Sequence, residues 1–214
     1  MTLHAQTRTA VIAATGCDLS WLADCLRASG WSLRLTGMPD LADVSTESGI
    51  DLIVHCHLPQ SATPATTAAM SSEAWERIAM APMRHTLATL RAAPTLLDGQ
   101  GAVVGLGPAF ALNGTAGLAA VAAAVEGQRT LVKATARQWL RGAIISNWIA
   151  VATEDLLPDL AGLPNLGRYA VGEPIRRRPG AEAVAALIDA LAGMAGRALA
   201  GQTLIADGGD WMTP

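Results

Sequence analysis

Short apolar segments alternate with helical segments along almost the whole of this 214-residue chain. The apolar segments show little alternation of polar and apolar residues, which is typical of strands covered on both faces. This order predicts a doubly wound α/β domain, a parallel sheet flanked by helices on both faces, spanning residues 1–214. The predicted strands are 9–15, 31–35, 50–54, 101–106, 143–151 and 203–206, and the predicted helices are 19–29, 71–93, 114–140 and 182–194.

Charged side chains are few and are spread along the chain. There are 15 basic and 18 acidic residues, a formal net charge of −3, and the run of arginines at 176–178 lies between prolines and is interpreted as a solvated loop. Nucleic-acid binding depends on clustered Lys and Arg side chains. We therefore expect no nucleic-acid partner.

The sequence has the features of neither a membrane protein nor a secreted one. No apolar window reaches about 18 residues without charge, the length that a membrane span requires, and the N-terminus lacks the pattern of a signal peptide. The three cysteines, Cys17, Cys25 and Cys56, form no Cys-x-x-Cys pair. An odd number of cysteines without such spacing indicates a reducing compartment. We expect a cytoplasmic protein with no membrane partner.

The most specific motifs lie near the C-terminus. Residues 173–192 read EPIRRRPGAEAVAALIDALA, and residues 201–209 read GQTLIADGG. The two segments resemble the closing block of the short-chain dehydrogenase/reductase family, in which a helix of the pattern P-x-x-R-x-G-x-P-E-E-V-A precedes G-Q-x-L-x-V-D-G-G. Shorter matches occur at 50–54, 73–77 and 101–104, so the resemblance extends over nearly the whole chain.

The resemblance is to members similar to the 3-oxoacyl-ACP reductases, and it implies a Rossmann-like sheet in a single domain. The chain is shorter than a typical member of the family. Most of the difference falls between Leu35 and Gly49, where a strand–helix unit of the family is nearly deleted. We therefore expect a domain that is shortened after its second strand.

The activity of the family depends on a relay of four side chains. A Tyr protonates or deprotonates the substrate oxygen, a Lys one helical turn later lowers the pKa of the Tyr, a Ser orients the substrate carbonyl, and an Asn supports a water chain. The Tyr and the Lys must be four residues apart to share one helix face. This chain has a single Tyr, Tyr169, and a single Lys, Lys133. No alignment can therefore produce the Tyr-x-x-x-Lys pair.

Other residues stand at the relay positions. The alignment assigns Val121 to the Tyr position and Val125 to the Lys position. The Ser position falls on Gly107 or Pro108, and the Asn position falls on or next to Pro82. None of these side chains can transfer a proton. We therefore predict that the family's catalytic residues are absent and that these positions are vestigial.

The dinucleotide-binding turn of the family is also incomplete in this sequence. Family members bind the pyrophosphate on a T-G-x-x-x-G-x-G turn at a helix N-terminus, whereas residues 13–20 read AATGCDLS and retain only Gly16. Asp18 would bring a negative charge to the place of a phosphate. The acidic residue that binds the adenosine ribose in the family is missing near Thr36 or Gly37. We expect no cofactor, or NAD(P) if any is bound.

The candidates for contacts in the crevice are Thr15, Gly16, His55 and His57. The two histidines follow a predicted parallel strand, where ligand sites of open α/β sheets occur, and strand alternation points both to one side. Such a pair could serve acid–base chemistry or a metal. No third ligand is evident, the other two histidines cannot be placed from the sequence, and we predict no metal site. The favoured interpretation is two polar residues that fill a vacated nucleotide crevice.

The long helices are candidate assembly surfaces. The resemblance implies that helices 71–93 and 114–140 pair across a two-fold axis in a four-helix bundle, and that the last strand contributes to a second interface. Small side chains permit close approach of helices, and burial between subunits needs only shape and apolar area. The relevant alanines are Ala116, Ala119, Ala120, Ala123 and Ala124.

Three functional hypotheses follow. The favoured one is a catalytically silent structural or regulatory subunit, in a homo-oligomer or in a hetero-oligomer with an active paralogue. The second is an atypical NAD(P)-dependent oxidoreductase that acts on a hydroxyl or carbonyl compound, with His55, His57 or a water as proton donor. The third is a module that binds another small ligand in the remodelled crevice.

Overall fold

The computed structural model describes residues 8–37, 49–139, 141–160, 163 and 180–210. Most of the segment between Leu35 and Gly49, in which we predict a deletion, lies outside the described residues, and so does Tyr169.

Six parallel strands form one sheet in the described part of the chain: β1 Arg8–Thr15, β2 Trp31–Thr36, β3 Leu52–His57, β4 Gln100–Pro108, β5 Ala143–Val151 and β6 Thr203–Ala206. They lie side by side in the order β2-β1-β3-β4-β5-β6. The chain leaves β1 in one direction to form β2 and returns on its other side to form β3, so the sheet has a switch point between β1 and β3. This confirms the predicted doubly wound, Rossmann-like fold.

Helices cover the sheet in two packed pairs. Helix α3 (Ala81–Leu96) packs against α4 (Ala119–Trp139), and helix α1 (Ser20–Ala28) packs against α6 (Ala181–Ala192). Apolar side chains of the central strands fill the core between the helices. The helices are α1 Ser20–Ala28, α2 Ser72–Trp75, α3 Ala81–Leu96, α4 Ala119–Trp139, α5 Thr153–Leu156, α6 Ala181–Ala192 and α7 Met194–Ala198, with short 3-10 turns at Thr67–Ala69, Ala109–Asn113 and Pro158–Leu160. Among the described helices, none has the length and apolar character needed to cross a membrane.

The helix predicted at 71–93 consists of two α-helices, α2 and α3, that are joined by a turn with a different hydrogen-bond pattern. Its N-terminus is capped by Ser71, whose Oγ accepts a hydrogen bond from the N–H of Ala74 at 3.1 Å. A π-helical turn, Glu76–Met80, joins α2 to α3. Pro82 follows this turn and has no N–H to donate to the preceding turn, which favours the wider π geometry there.

Several boundaries differ from the prediction, among them those of α4 and β3. Helix α4 begins at Ala119 rather than near 114, because Gly117 has a φ of +84° and interrupts helical geometry. Strand β3 begins at Leu52 and continues to His57, beyond the predicted end at Val54, so both histidines belong to the strand.

Candidate functional site

A cluster of polar side chains lies at the carboxyl ends of β1 and β3, beside α3. Thr15 Oγ1 is 3.2 Å from Nδ1 of His57 and 3.2 Å from Nδ1 of His85. On its other side, His57 Nε2 is 3.0 Å from Thr89 Oγ1. We call Thr15, His57, His85 and Thr89 the His–Thr cluster. It lies at the switch point of the sheet, where open α/β sheets bind ligands.

The hydrogen bonds of the His–Thr cluster are consistent with the following arrangement of protons, in which each hydroxyl both donates and accepts. The Thr89 hydroxyl donates to the His85 carbonyl oxygen at 3.1 Å, so Thr89 Oγ1 accepts the bond from Nε2–H of His57. A neutral imidazole has one N–H, so Nδ1 of His57 accepts the Thr15 hydroxyl proton. Thr15 Oγ1 then accepts from Nδ1–H of His85. The Nε2 atom of His85 is left as an acceptor.

Burial keeps these histidines uncharged. It lowers the pKa of His57 to about 2, with smaller contributions from His55 and His85. The pKa of His85 is also lowered, first by burial and then by the neighbouring charge of Arg84. Desolvation acts in this direction because the imidazolium loses more hydration than the neutral ring. The proton assignment above therefore applies at neutral pH.

His55 lies deeper than the cluster. Its ring stacks on His57 at a centroid distance of 5.6 Å and meets the edge of Trp148 at 6.1 Å. Both ring nitrogens are buried without a hydrogen-bond partner, and burial lowers the pKa of His55 to about 4. The two histidines do point to one side, as expected. Both lie beneath the crevice, fully buried.

Gln128 of α4 forms hydrogen bonds to both β3 and α3 beside the His–Thr cluster. This residue was not identified from the sequence. Its Nε2 donates to the His57 carbonyl oxygen at 2.9 Å, and its Oε1 accepts from Thr86 Oγ1 at 2.7 Å. Both side chains are buried. The available signal was that Gln128 interrupts the apolar face that Val125 and Val132 form at helical spacing.

Trp148 fills the space between the end of β4 and α4. A Cβ atom added to Gly107 would lie 2.4 Å from Cζ2 of Trp148 and 2.8 Å from Cγ1 of Val125. Val121 and Val125 are both buried on the face of α4 that covers this region. Pro108 ends β4, paired in register with Val151. The predicted Tyr, Lys and Ser positions therefore lie in packed apolar core.

The turn after β1 is closed against the loop after β3. Gly16 has a φ of +72°, and a Cβ atom there would be 2.2 Å from the carbonyl oxygen of Leu58. Such an approach is possible only for glycine. Thr15 and Gly16, two of the predicted crevice residues, are therefore held directly beside the loop that follows β3.

Asp18 lies two residues before Ser20, the first residue of α1. Its carboxylate accepts hydrogen bonds from the backbone N–H of Ser20 at 2.8 Å and from the Ser20 hydroxyl at 2.9 Å, and these bonds lower the pKa of Asp18. Helix N-termini of this kind bind the pyrophosphate in dinucleotide sites. The adjacent cavity of about 370 Å³ is lined by Asp18, Asp155 and Asp159, and no Lys or Arg is among its described lining residues. These residues do not fit a pyrophosphate.

A separate cavity of about 310 Å³ opens beside the His–Thr cluster. We call it the His85 cavity. Thr15 and His85 contribute to its wall from the cluster, and Arg77 contributes a cation from the π-helical turn. Pro82, predicted to stand at or next to the relay Asn position, also lines it. Within the described ranges, no group of three His, Cys, Asp or Glu side chains is arranged to hold a metal ion.

Comparison with solved structures supports the fold. The chain is similar to a structure described as an NAD(P)-dependent gluconate 5-dehydrogenase from Beutenbergia cavernae with NADP bound at low occupancy, with a TM-score of 0.77, 19% identity, and 96% and 97% of the two chains covered. A short-chain dehydrogenase/reductase from Mycobacterium ulcerans matches with a TM-score of 0.76, 19% identity, and 96% and 90% coverage. Levodione reductase matches with a TM-score of 0.75, 19% identity, and 95% and 97% coverage.

Comparison with curated protein sequences yields no match. A family model does match: the one described as enoyl-(acyl carrier protein) reductase aligns with residues 41–210, which is most of the chain. Together with the parallel six-stranded sheet, this match establishes that the chain belongs to the short-chain dehydrogenase/reductase family.

Proposed function

We propose that this chain is a catalytically silent member of its family and serves as a structural or regulatory subunit. The packing of Trp148 against Gly107 is the observation that carries this proposal. A serine at 107 would need the space that the indole ring fills, since even its Cβ would lie 2.4 Å from the ring. Val121 and Val125 beside it are buried and have no proton to transfer. The apolar packing stabilises the domain where the family has its relay.

Asp18 supports the absence of a bound dinucleotide. Its carboxylate already accepts the N–H and hydroxyl hydrogen bonds of Ser20 that an anion at the start of α1 would need. A phosphate in the same place would be repelled by the carboxylate, because like charges at short distance are destabilising. The chain thus supplies its own anion at the helix N-terminus.

The partner is a second copy of this chain or an active paralogue. Two large apolar side chains of the α2–α3 segment are exposed, Trp75 at 38% and Leu87 at 46%. Strand β6 is an edge strand of the described sheet, and all four of its residues are only partly buried. Apolar side chains in such positions favour association. These features support assembly through the segments 71–93 and 114–140 and through the last strand.

Light scattering of the purified chain, alone and co-expressed with an active paralogue from the same genome, tests the subunit role. We expect an oligomer in at least one of the two preparations. Leu87→Lys should lower the measured mass of the oligomer, because the burial of a lysine in an apolar interface is unfavourable. Thr95→Lys, which adds the same charge at another exposed position of α3, should not. A monomer in both preparations would contradict the proposal.

Cofactor titration tests whether the chain lacks catalytic activity. With NADH, NADPH and their oxidised forms at millimolar concentration, we expect no thermal shift and no turnover of carbonyl or alcohol substrates. Turnover would instead support the second hypothesis, an atypical NAD(P)-dependent oxidoreductase acting on a hydroxyl or carbonyl compound. That hypothesis requires a nicotinamide held near the substrate carbon, so binding is its minimum condition.

A further inference from the structure

We propose that the His85 cavity binds a small hydroxylated carboxylic acid, with the carboxylate on Arg77 and the hydroxyl donating to Nε2 of His85. This site lies within one chain, so the inference goes beyond the proposed subunit role and does not depend on it.

The cavity has the size and lining of a small-molecule site. Its volume of about 310 Å³ is at the lower end of the range for ligand pockets, roughly 300 to 1,000 Å³. Leu58, Ile78 and Pro82 form apolar wall, and a few polar groups interrupt it. Pockets that bind small organic molecules combine apolar walls with a few fixed polar groups in this way.

His85 supplies a fixed acceptor. Its Nδ1–H is engaged with Thr15, which in turn donates to His57. The His57 ring is held from its far side by Thr89. This chain of bonds orients the imidazole of His85 and leaves Nε2 with a lone pair, for which the described residues offer no hydrogen-bond partner. A ligand hydroxyl is the complementary donor.

Arg77 supplies an available cation. No ion pair joins it to any side chain in the described ranges. Its neighbour Glu76 is already paired with Arg84. A guanidinium at the rim of an apolar pocket is complementary to a carboxylate, which it binds with two parallel hydrogen bonds. The combination of one cation and one neutral acceptor selects a ligand that carries both a carboxylate and a hydroxyl.

NMR of protein labelled with 15N-histidine tests the site directly. Glycolate, lactate and malate are the probes, and the readout is the His85 Nε2 resonance. We expect saturable shifts with at least one of them. Propionate, which lacks the hydroxyl, and 1,2-propanediol, which lacks the carboxylate, should bind on the order of tenfold more weakly, the loss expected when a hydrogen bond to a charged or buried group is removed.

Substitutions separate this site from general anion binding. Arg77→Met should weaken binding of the responsive acid on the order of tenfold, whereas Arg91→Met, at an exposed position of α3 outside the cavity, should leave it unchanged. Both positions are exposed, so both variants should fold. The proposal is overturned if none of the three acids gives a saturable shift, if propionate binds as well as lactate, or if Arg77→Met titrates like the unaltered chain. Arg77 and His85 lie in the segment 71–93 that the subunit proposal uses for assembly. Light scattering of Arg77→Met therefore separates a loss of binding from a change of oligomeric state.

Discussion

The indole ring of Trp148 lies directly against Gly107, with only 2.4 Å between Cζ2 and the place of a Cβ atom. Strands β4 and β5 pair so that Trp148 is opposite Gly105, and a Cβ there would also lie 2.4 Å from the ring. The two glycines therefore create the flat surface on which the tryptophan packs. The side chain of Trp148 therefore fills the space beside Gly107, one of the two positions to which the sequence alignment assigns the Ser of the relay.

Gly107→Ser should destabilise the fold by about 1 to 3 kcal/mol, because the added atoms overpack a filled core. Urea unfolding measures the change. Gly193→Ser is the matched control, since a Cβ there makes only ordinary contacts, with the nearest atom at 3.6 Å, and should cost no more than about 0.5 kcal/mol. In a Trp148→Ala background the cost of Gly107→Ser should shrink. Equal costs in both backgrounds would show that the indole ring is not the obstacle.

Replacing His55 by leucine should stabilise the protein at pH 7 by about 1 kcal/mol, because both buried ring nitrogens lack partners. The gain should grow at lower pH. The folded pKa of His55 is about 4, below its ordinary 6.5, so the unfolded chain binds more protons between these values. The free energy of unfolding is therefore unaffected by His55 protonation above pH 6.5, and it falls as the pH drops from 6.5 towards 4. Leucine cannot be protonated, so the variant avoids this loss, which is about 2 kcal/mol at pH 5.

His57→Leu is the contrasting variant. Its ring nitrogens are bonded to Thr15 and Thr89, so leucine removes one hydrogen bond from each hydroxyl group and should destabilise the fold by about 1 to 3 kcal/mol at pH 7. Chemical denaturation at pH 7 and pH 5 measures both histidine variants. If His55→Leu were as destabilising as His57→Leu at pH 7, the account of His55 as an unpartnered buried ring would be wrong.

Asp18→Ala should lower the Tm at pH 7, because α1 loses the carboxylate that accepts from Ser20. The folded pKa of Asp18 is below its ordinary value. Its contribution is thus fully present above the unfolded pKa and is lost as the pH falls through the folded pKa. The Tm difference between the two proteins should therefore vanish in acid. Asp24→Ala, which removes an exposed ion pair with Arg27, should change the Tm little at any pH.

Gln128→Leu should cost about 1 to 3 kcal/mol, since it leaves the His57 carbonyl and the Thr86 hydroxyl buried without their partner. Gln138→Leu, at an exposed position of the same helix, should stay within about 0.5 kcal/mol of the unaltered chain. Thermal and urea unfolding of the two variants provide the comparison. Similar values for both would mean that the buried amide is not a structural link between α3, α4 and β3.

Local pattern explains most of what was predicted of the fold. Strands β5 and β6 have the predicted bounds: Gly142 precedes β5, and Asp207 follows β6. The start of α4 was displaced by Gly117, whose positive φ is a property of the turn and not of the apolar spacing. The pairing of His55 and His57 on one side of β3 followed from strand alternation alone.

The sequence by itself determined the doubly wound sheet and the impossibility of a Tyr-x-x-x-Lys pair, because periodicity and residue counts need no knowledge of distant contacts. Only the tertiary structure decided that His85 meets Thr15 across 70 positions of the chain, and that Trp148 covers Gly107. Such contacts arise where parallel strands and the helices between them come together in register. Their partners are far apart along the chain, so no local pattern could indicate them.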